Sequence, residues 1–339
     1  MAILYVAMEK LKICRFALAL TTAALMAAPP SNPEVRVAVS SDAITLLPVH
    51  LAQTLGFYQQ EGLAVSLAEI KSANKTLDAL HDGSANVALG TTVPIQTAAE
   101  GQSIQGFLVI YSRINTVLVV SPTANGKVHT VADLKGRRIG VSNLGSGSQI
   151  FLNYLLSVNG LQPADVTAVA IGVGAPSLAA MEKGDVDAAL VLGGAINLLL
   201  RAHPGLTIVA DTRTAEGSAR VFGSASYPGS LLVAEESWLK ANPDTARRFV
   251  RAVKKAMQWM GEHSPEEVRA NMRDDQRMTD ADADLATIRD FQHMLSPDGA
   301  IEKGSPEIMY KVLATSLENV RTAHIDLAKA YTNEYLTGK

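Results

Sequence analysis

The sequence predicts an α/β protein built as two βαβ lobes joined by two crossover strands, and three observations carry that expectation. Strand-like and helix-like patterns alternate from Val35 to Leu192, the grammar of largely parallel sheets covered by helices. A short phrase is written twice: LDALHDGSANVALG (Leu77–Gly90) returns as LAAMEKGDVDAALV (Leu178–Val191). At an offset of 101, Leu77/Leu178, Ala79/Ala180, Gly83/Gly184, Ala88/Ala189 and Leu89/Leu190 coincide. Finally, 339 residues are too many for one ordinary core and suit two.

At the N-terminus, Lys10, Lys12 and Arg15 precede an apolar run, Phe16–Ala28, which ends in small residues before Pro29 and Pro30. At 13 residues the run falls short of the roughly 20 that a spanning helix needs. Residues 1–28 therefore read as a signal peptide for export, with Met1 or Met8 as the start. Cys14, the single cysteine, lies within it, so the mature chain is expected to have neither disulfide nor thiol chemistry.

Beyond the signal, Val35–Ser40 reads as a strand and Leu47–Leu55 as a helix, with Pro48 in its first turn and Gly56 after its end. Val65–Ile70 is the next strand. A helix capped by Asn74 runs through Leu80, with Gly83 past its end. Val87–Gly90, Pro94–Glu100 and Phe107–Tyr111 read as strand, helix and strand. The order then repeats: strand Arg138–Ser142, helix Gln149–Val158, strand Val166–Ile171, helix Ser177–Glu182, strand Asp187–Leu192. Thr116–Ser121 and Ser230–Ala234 are the expected crossovers. Asn242-Pro243-Asp244 opens a long helix with Phe249, Val250, Val253, Met257 and Met260 on one stripe, and further helices reach about Leu336. These readings place lobe I at 35–119 and 227–337, and lobe II at 120–226.

Composition narrows the chemistry. A net charge of -3 offers no field for nucleic acid, and 5% aromatic content is thin for base stacking. The seven histidines are scattered, without a paired metal-ligand spacing. Asp280, Asp282 and Asp284 imitate the start of a calcium loop, but Leu285 stands where that loop needs Gly and Phe291 where it needs Glu. Gly145-Ser146-Gly147 follows a strand without completing a dinucleotide motif. No cofactor, metal or catalytic residue is expected.

The informative stretch is SNLGSGSQIFLNYLL, Ser142–Leu156, where a strand ends in a Gly/Ser-rich turn that meets a helix N-terminus. Free N–H groups, hydroxyls and the helix dipole at Ser142, Asn143, Ser146, Gly147 and Ser148 suit an anionic group. Ligands of α/β sheets sit beyond the carboxyl ends of strands, which adds Ser40, Ser41 and Asp42, Thr91 and Thr92, and Gly193 and Gly194. Arg113, just after a strand, is the cation expected near that crevice, suited to a carboxylate or sulfonate.

The chain resembles the periplasmic substrate-binding proteins of ABC importers in the nitrate/sulfonate/taurine group, relatives of the thiamine-precursor binders. The resemblance rests on LLPVHLAQTLGFYQQEGLAVSL, the phrase from Leu77 to Ile104, ADLKGRRIGVSNLGSGSQIFLNYLL, LAAMEKGDVDAALV and NPDTARRFVRAVKKAMQWM, in one order over nearly the whole mature chain. It implies the type II periplasmic binding protein fold with one ligand in the interlobe cleft, held at Ser40, Ser41, Thr91, Thr92 and Asn143–Ser148. Where many members carry an aromatic-acidic-proline triplet, this chain has Leu192-Gly193-Gly194, leaving room for a bulkier ligand.

The resemblance thus implies an exported, monomeric receptor that captures a small organic anion and passes it to an ABC permease in the inner membrane. A module presenting ligand to a sensor kinase, or one that binds or makes a pyrimidine precursor, is the alternative. Porphobilinogen-polymerising enzymes share the bilobal fold but need a cysteine for their cofactor. Yeast-type pyrimidine synthases carry a cysteine-rich motif that this chain lacks.

Overall fold

The computed structural model describes residues 32–39, 43–70 and 73–337. The expected signal peptide at 1–28, with Cys14, and the expected ligand residues Ser40, Ser41 and Asp42 lie outside the described residues. The first half contains β1 (Glu34–Val39), α1 (Leu47–Thr54), α2 (Phe57–Gln60), β2 (Ala64–Glu69), α3 (Ala73–His81), β3 (Val87–Leu89), α4 (Val93–Ala99) and β4 (Ile104–Tyr111). The second contains β5 (Thr116–Val120), β6 (Arg138–Val141), α5 (Gly147–Val158), β7 (Thr167–Ala170), α6 (Ala175–Lys183), β8 (Ala188–Leu192), α7 (Ala195–Ala202), β9 (Ile208–Asp211) and α8 (Ala215–Phe222). Then follow β10 (Ser230–Glu235), α9 (Glu236–Ala241), α10 (Pro243–Glu262), α11 (Pro265–Ala270), α12 (Ala281–Met294), α13 (Ser305–Ala314), α14 (Glu318–Thr322) and α15 (Leu327–Ala330).

Two five-stranded sheets share one plan, β2-β1-β3-β10-β4 and β7-β6-β8-β5-β9. In each, the first three strands are parallel and the fourth is antiparallel to both neighbours. Val37 and Ala38 pair with Val87 and Ala88, as Ile139 and Gly140 pair with Ala188 and Ala189, so the repeated phrase is a repeated register. Gly83 and Gly184 both end a helix at positive φ (73° and 75°), a conformation closed to most side chains.

The two crossovers exchange sheets. β10 enters the first sheet between β3 and β4, and β5 enters the second between β8 and β9. On sheet membership, the division therefore falls in the connection 112–115, ahead of the expected boundary at 119, because all of β5 pairs within the second sheet.

Long-range packing fixes these elements. The expected stripe Phe249, Val250, Val253, Met257 and Met260 is buried along the 20-residue α10, beneath Leu47, Leu51 and Tyr58. Each such side chain contributes roughly 1.5–3 kcal/mol by leaving water. Tyr58 and Phe249 stack with centroids 5.5 Å apart. The open edge of β4 is covered: Val109 N–H donates to Gly299 O, Ser296 N–H to Ile110 O, and Thr332 N–H to Gly106 O. No helix among the described residues is long and apolar enough to cross a membrane.

Candidate functional site

The carboxyl ends of strands from both sheets meet at a cavity of about 300 Å³. Thr91 and Thr92 approach from the first sheet, Thr116, Ser142, Gly147 and Ser148 from the second, and Ile114 and Gly229 from the connections. Phe151, Phe222, Tyr227, Val312 and Leu313 supply an apolar wall. No charged side chain lines it among the described residues.

The serine turn is tightly organised. Ser146 caps α5 by accepting from Gln149 N–H and donates its own proton to Asn143 O at 2.6 Å. Ser142 Oγ donates to Ser146 Oγ at 3.0 Å, and Ser142 N–H donates to Ser148 Oγ at 2.9 Å. Ser148 Oγ also lies 2.9 Å from both Ser142 Oγ and Ser146 Oγ, so the three hydroxyls form one hydrogen-bonded cluster at the start of α5. The N–H groups of Gly147 and Ser148, in the first turn of α5, have no acceptor among the described residues, as the geometry of a helix start dictates. Dipole and donors together form an anion-binding end without a formal charge.

The opposite wall is aromatic. Phe222 stacks on Tyr227 with centroids 4.2 Å apart and lies 5.6 Å from Phe151. Burial pushes the Tyr227 phenol well above its ordinary value, and the nearby Tyr154 adds to this, so the group is a hydrogen-bond donor across the physiological range. These rings are 5% exposed or less.

The structure thus brings Thr91, Thr92, Ser142, Gly147 and Ser148 together, with Asn143 and Ser146 as their supports. Gly193 and Gly194 instead line a neighbouring cavity of about 500 Å³, facing Asp275, Met278 and Thr287, with Leu192 common to both. Arg113 lines neither. Its Nε donates to Arg213 O at 3.0 Å and its Nη2 to His293 O, and burial lowers its pKa. It ties backbone segments together where a ligand's counter-charge was expected. Sequence reasoning missed the aromatic wall. Phe151, three residues after Ser148 and hence on the same helix face, could have been found; Phe222 and Tyr227 arrive from a distant segment.

Beside the cavity, side chains from α7 and the loop after β9 grip α12. Arg213 places Nε and Nη2 on Asp211 at 2.9 and 2.7 Å, and Nη1 on Asp290 at 3.0 Å. Asn197 donates to Asp290 at 2.9 Å and to Thr287 at 3.1 Å. Farther out, Arg201 pairs with Asp280 and Asp282.

Two similar sheets, exchanged crossover strands and a cavity at their strand ends define the fold of the bilobal periplasmic binding proteins. The model of the NMT1/THI5-like family matches residues 44–268, and the chain belongs to that family. It is 26% identical over 294 residues to YtlA of Bacillus subtilis, described as a binding protein, covering 84% of each chain. It is 28% identical over 242 residues to the 4-amino-5-hydroxymethyl-2-methylpyrimidine phosphate synthase of Aspergillus parasiticus, covering 66% of this chain and 68% of the other. A solved Bordetella bronchiseptica protein superposes with a TM-score of 0.77 at 29% identity, covering 90% of this chain and 96% of that one. The alkanesulfonate-binding protein SsuA of Xanthomonas axonopodis, bound to MOPS, superposes at 0.65 with 18% identity, covering 90% and 99%; this likeness concerns the fold.

Proposed function

We propose that this protein is an exported, non-enzymatic solute receptor of an ABC importer. It captures a small organic anion with an apolar body between its two lobes and delivers it to a membrane permease. The observation that carries this reading is the pairing of the α5 N-terminus with an aromatic and aliphatic wall in one cavity of about 300 Å³. Ligand closes the lobes by bending at the two connections, 112–115 and 223–229. The energetics are adequate. Micromolar affinity needs about 8 kcal/mol. Charge-assisted hydrogen bonds contribute about 1.5–3 kcal/mol each, and every buried methylene about 0.8 kcal/mol.

The curated relatives named as pyrimidine phosphate synthases favour a second reading, an enzyme. Against it stands the lining, which among the described residues offers hydroxyls and apolar groups but no carboxylate, imidazole or amine to move protons.

A thermal-shift and calorimetric panel of alkanesulfonates, carboxylates, nitrate and pyrimidines tests the proposal. Sulfonates or carboxylates bearing four to six carbons should raise the melting point and nitrate should not. Ser148→Ala should weaken the best ligand about 10-fold. Binding of pyrimidines alone, with turnover, would replace receptor by enzyme.

A further inference from the structure

The cavity is lined by hydroxyl-bearing residues besides those of the serine turn, and an anionic head at that turn does not account for them. Four lining hydroxyls are engaged: Thr91 donates to Gly229 O at 3.2 Å, Thr92 to Gln96 Oε1 at 3.2 Å and Ser142 to Ser146, and Ser148 Oγ lies 2.9 Å from Ser142 Oγ and Ser146 Oγ. The hydroxyls of Thr116 and Tyr227 are different. Their residues are 5% and 4% exposed, both line the cavity, and neither hydroxyl has a hydrogen-bond partner among the described residues. A hydroxyl on a cavity-lining residue that has no protein partner is available to a group that arrives from outside.

Their placement follows from the rings. Ser148 and Phe151 are about one helical turn apart on α5. Phe222 lies beyond Phe151, and Tyr227 stacks on Phe222. A ligand with its anionic head at Gly147 and Ser148 would run along Phe151 and Phe222 toward Tyr227.

Resting on the receptor reading above, we propose that Tyr227 and Thr116 are specificity-determining residues, selecting organic anions whose apolar body carries a second, hydrogen-bond-accepting group such as a ketone or ether oxygen. A site built to bond such an oxygen rejects the analogue lacking it, because its own donors are then left unpaired.

Calorimetry on the full mature protein with matched probes tests this: hexanoate against 5-oxohexanoate, and pentanesulfonate against 4-oxopentanesulfonate. Wild type should prefer the oxo member of at least one pair by about 10-fold. Tyr227→Phe and Thr116→Val, which nearly conserve volume, should erase that preference by weakening the oxo member about 10-fold more than its plain partner. Unfolding curves for both variants check that they fold. Equal affinity within both pairs in wild type, or variants that weaken both members alike, overturns this inference and leaves the receptor reading standing. Failure of all four probes to bind overturns both.

Discussion

Removing the Asp290 carboxylate should loosen the closed arrangement of the cleft. Asp290 on α12 accepts from Arg213 at 3.0 Å and from Asn197 at 2.9 Å, and it is about a quarter exposed, at 26%. Charge-assisted bonds are worth about 1.5–3 kcal/mol each where shielded, less with this much water nearby. In Asp290→Ala the guanidinium keeps both bonds to Asp211, so no cation is stranded. The net loss should be about 2 kcal/mol. If these bonds form only when the lobes are closed, the loss appears as up to about a 30-fold weaker ligand, since 1.4 kcal/mol is one decade. Calorimetry gives the affinity and small-angle scattering the ligand-free radius, which should grow. A lowered melting point with unchanged affinity and radius would refute the reasoning and make the contact purely structural.

Three further outcomes are expected. Arg201→Ala removes pairs to Asp280 and Asp282 whose members are 42–78% exposed, so it should cost under about 1 kcal/mol and vanish in high salt. Gly229→Ala should destabilise by about 1–3 kcal/mol or more in urea titrations, because its Cβ would lie 1.8 Å from the Arg113 carbonyl oxygen, where only backbone movement makes room; full stability would contradict the close crossing. His50 is 4% exposed with neither ring nitrogen partnered among the described residues, and its pKa is lowered to about 4, chiefly by burial and secondarily by Arg273, against Asp275. The unfolded imidazole binds its proton near pH 6.5 and the folded one only near pH 4, so this contribution is complete above about pH 6.5 and is lost as pH falls toward 4. The gap corresponds to about 3 kcal/mol. His50→Phe should flatten the stability profile between those values, and an unchanged slope would assign it to other groups.

How much was legible depended on how local each signal is. Gly83 and Gly184 announce a helix end and a turn through their own conformational freedom, so the repeat and both parallel triplets could be read directly. The stripe on α10 was equally plain, as was the serine turn, whose donors follow from a strand running into a helix. Partners chosen across the chain were not legible. Whether Thr116–Val120 joins the first sheet or the second depends on Leu192 and Asp211, not on its own residues. Arg113 resembles any crevice cation until Arg213 and His293, 100 and 180 positions away, present their carbonyls. Low aromatic content argued against a stacking surface, yet folding gathers Phe151, Tyr154, Phe222 and Tyr227 into one.

The exchanged strands bear on how the molecule can be made. β4 reaches the rest of its sheet only through β10, and Ser230 emerges from the ribosome 119 residues after Tyr111. The N-terminal half must therefore wait, with β3 and β4 unjoined, until nearly the whole second half has been synthesised. A gene cut between the two sheets would yield pieces that each lack, or carry idle, a strand belonging to the other.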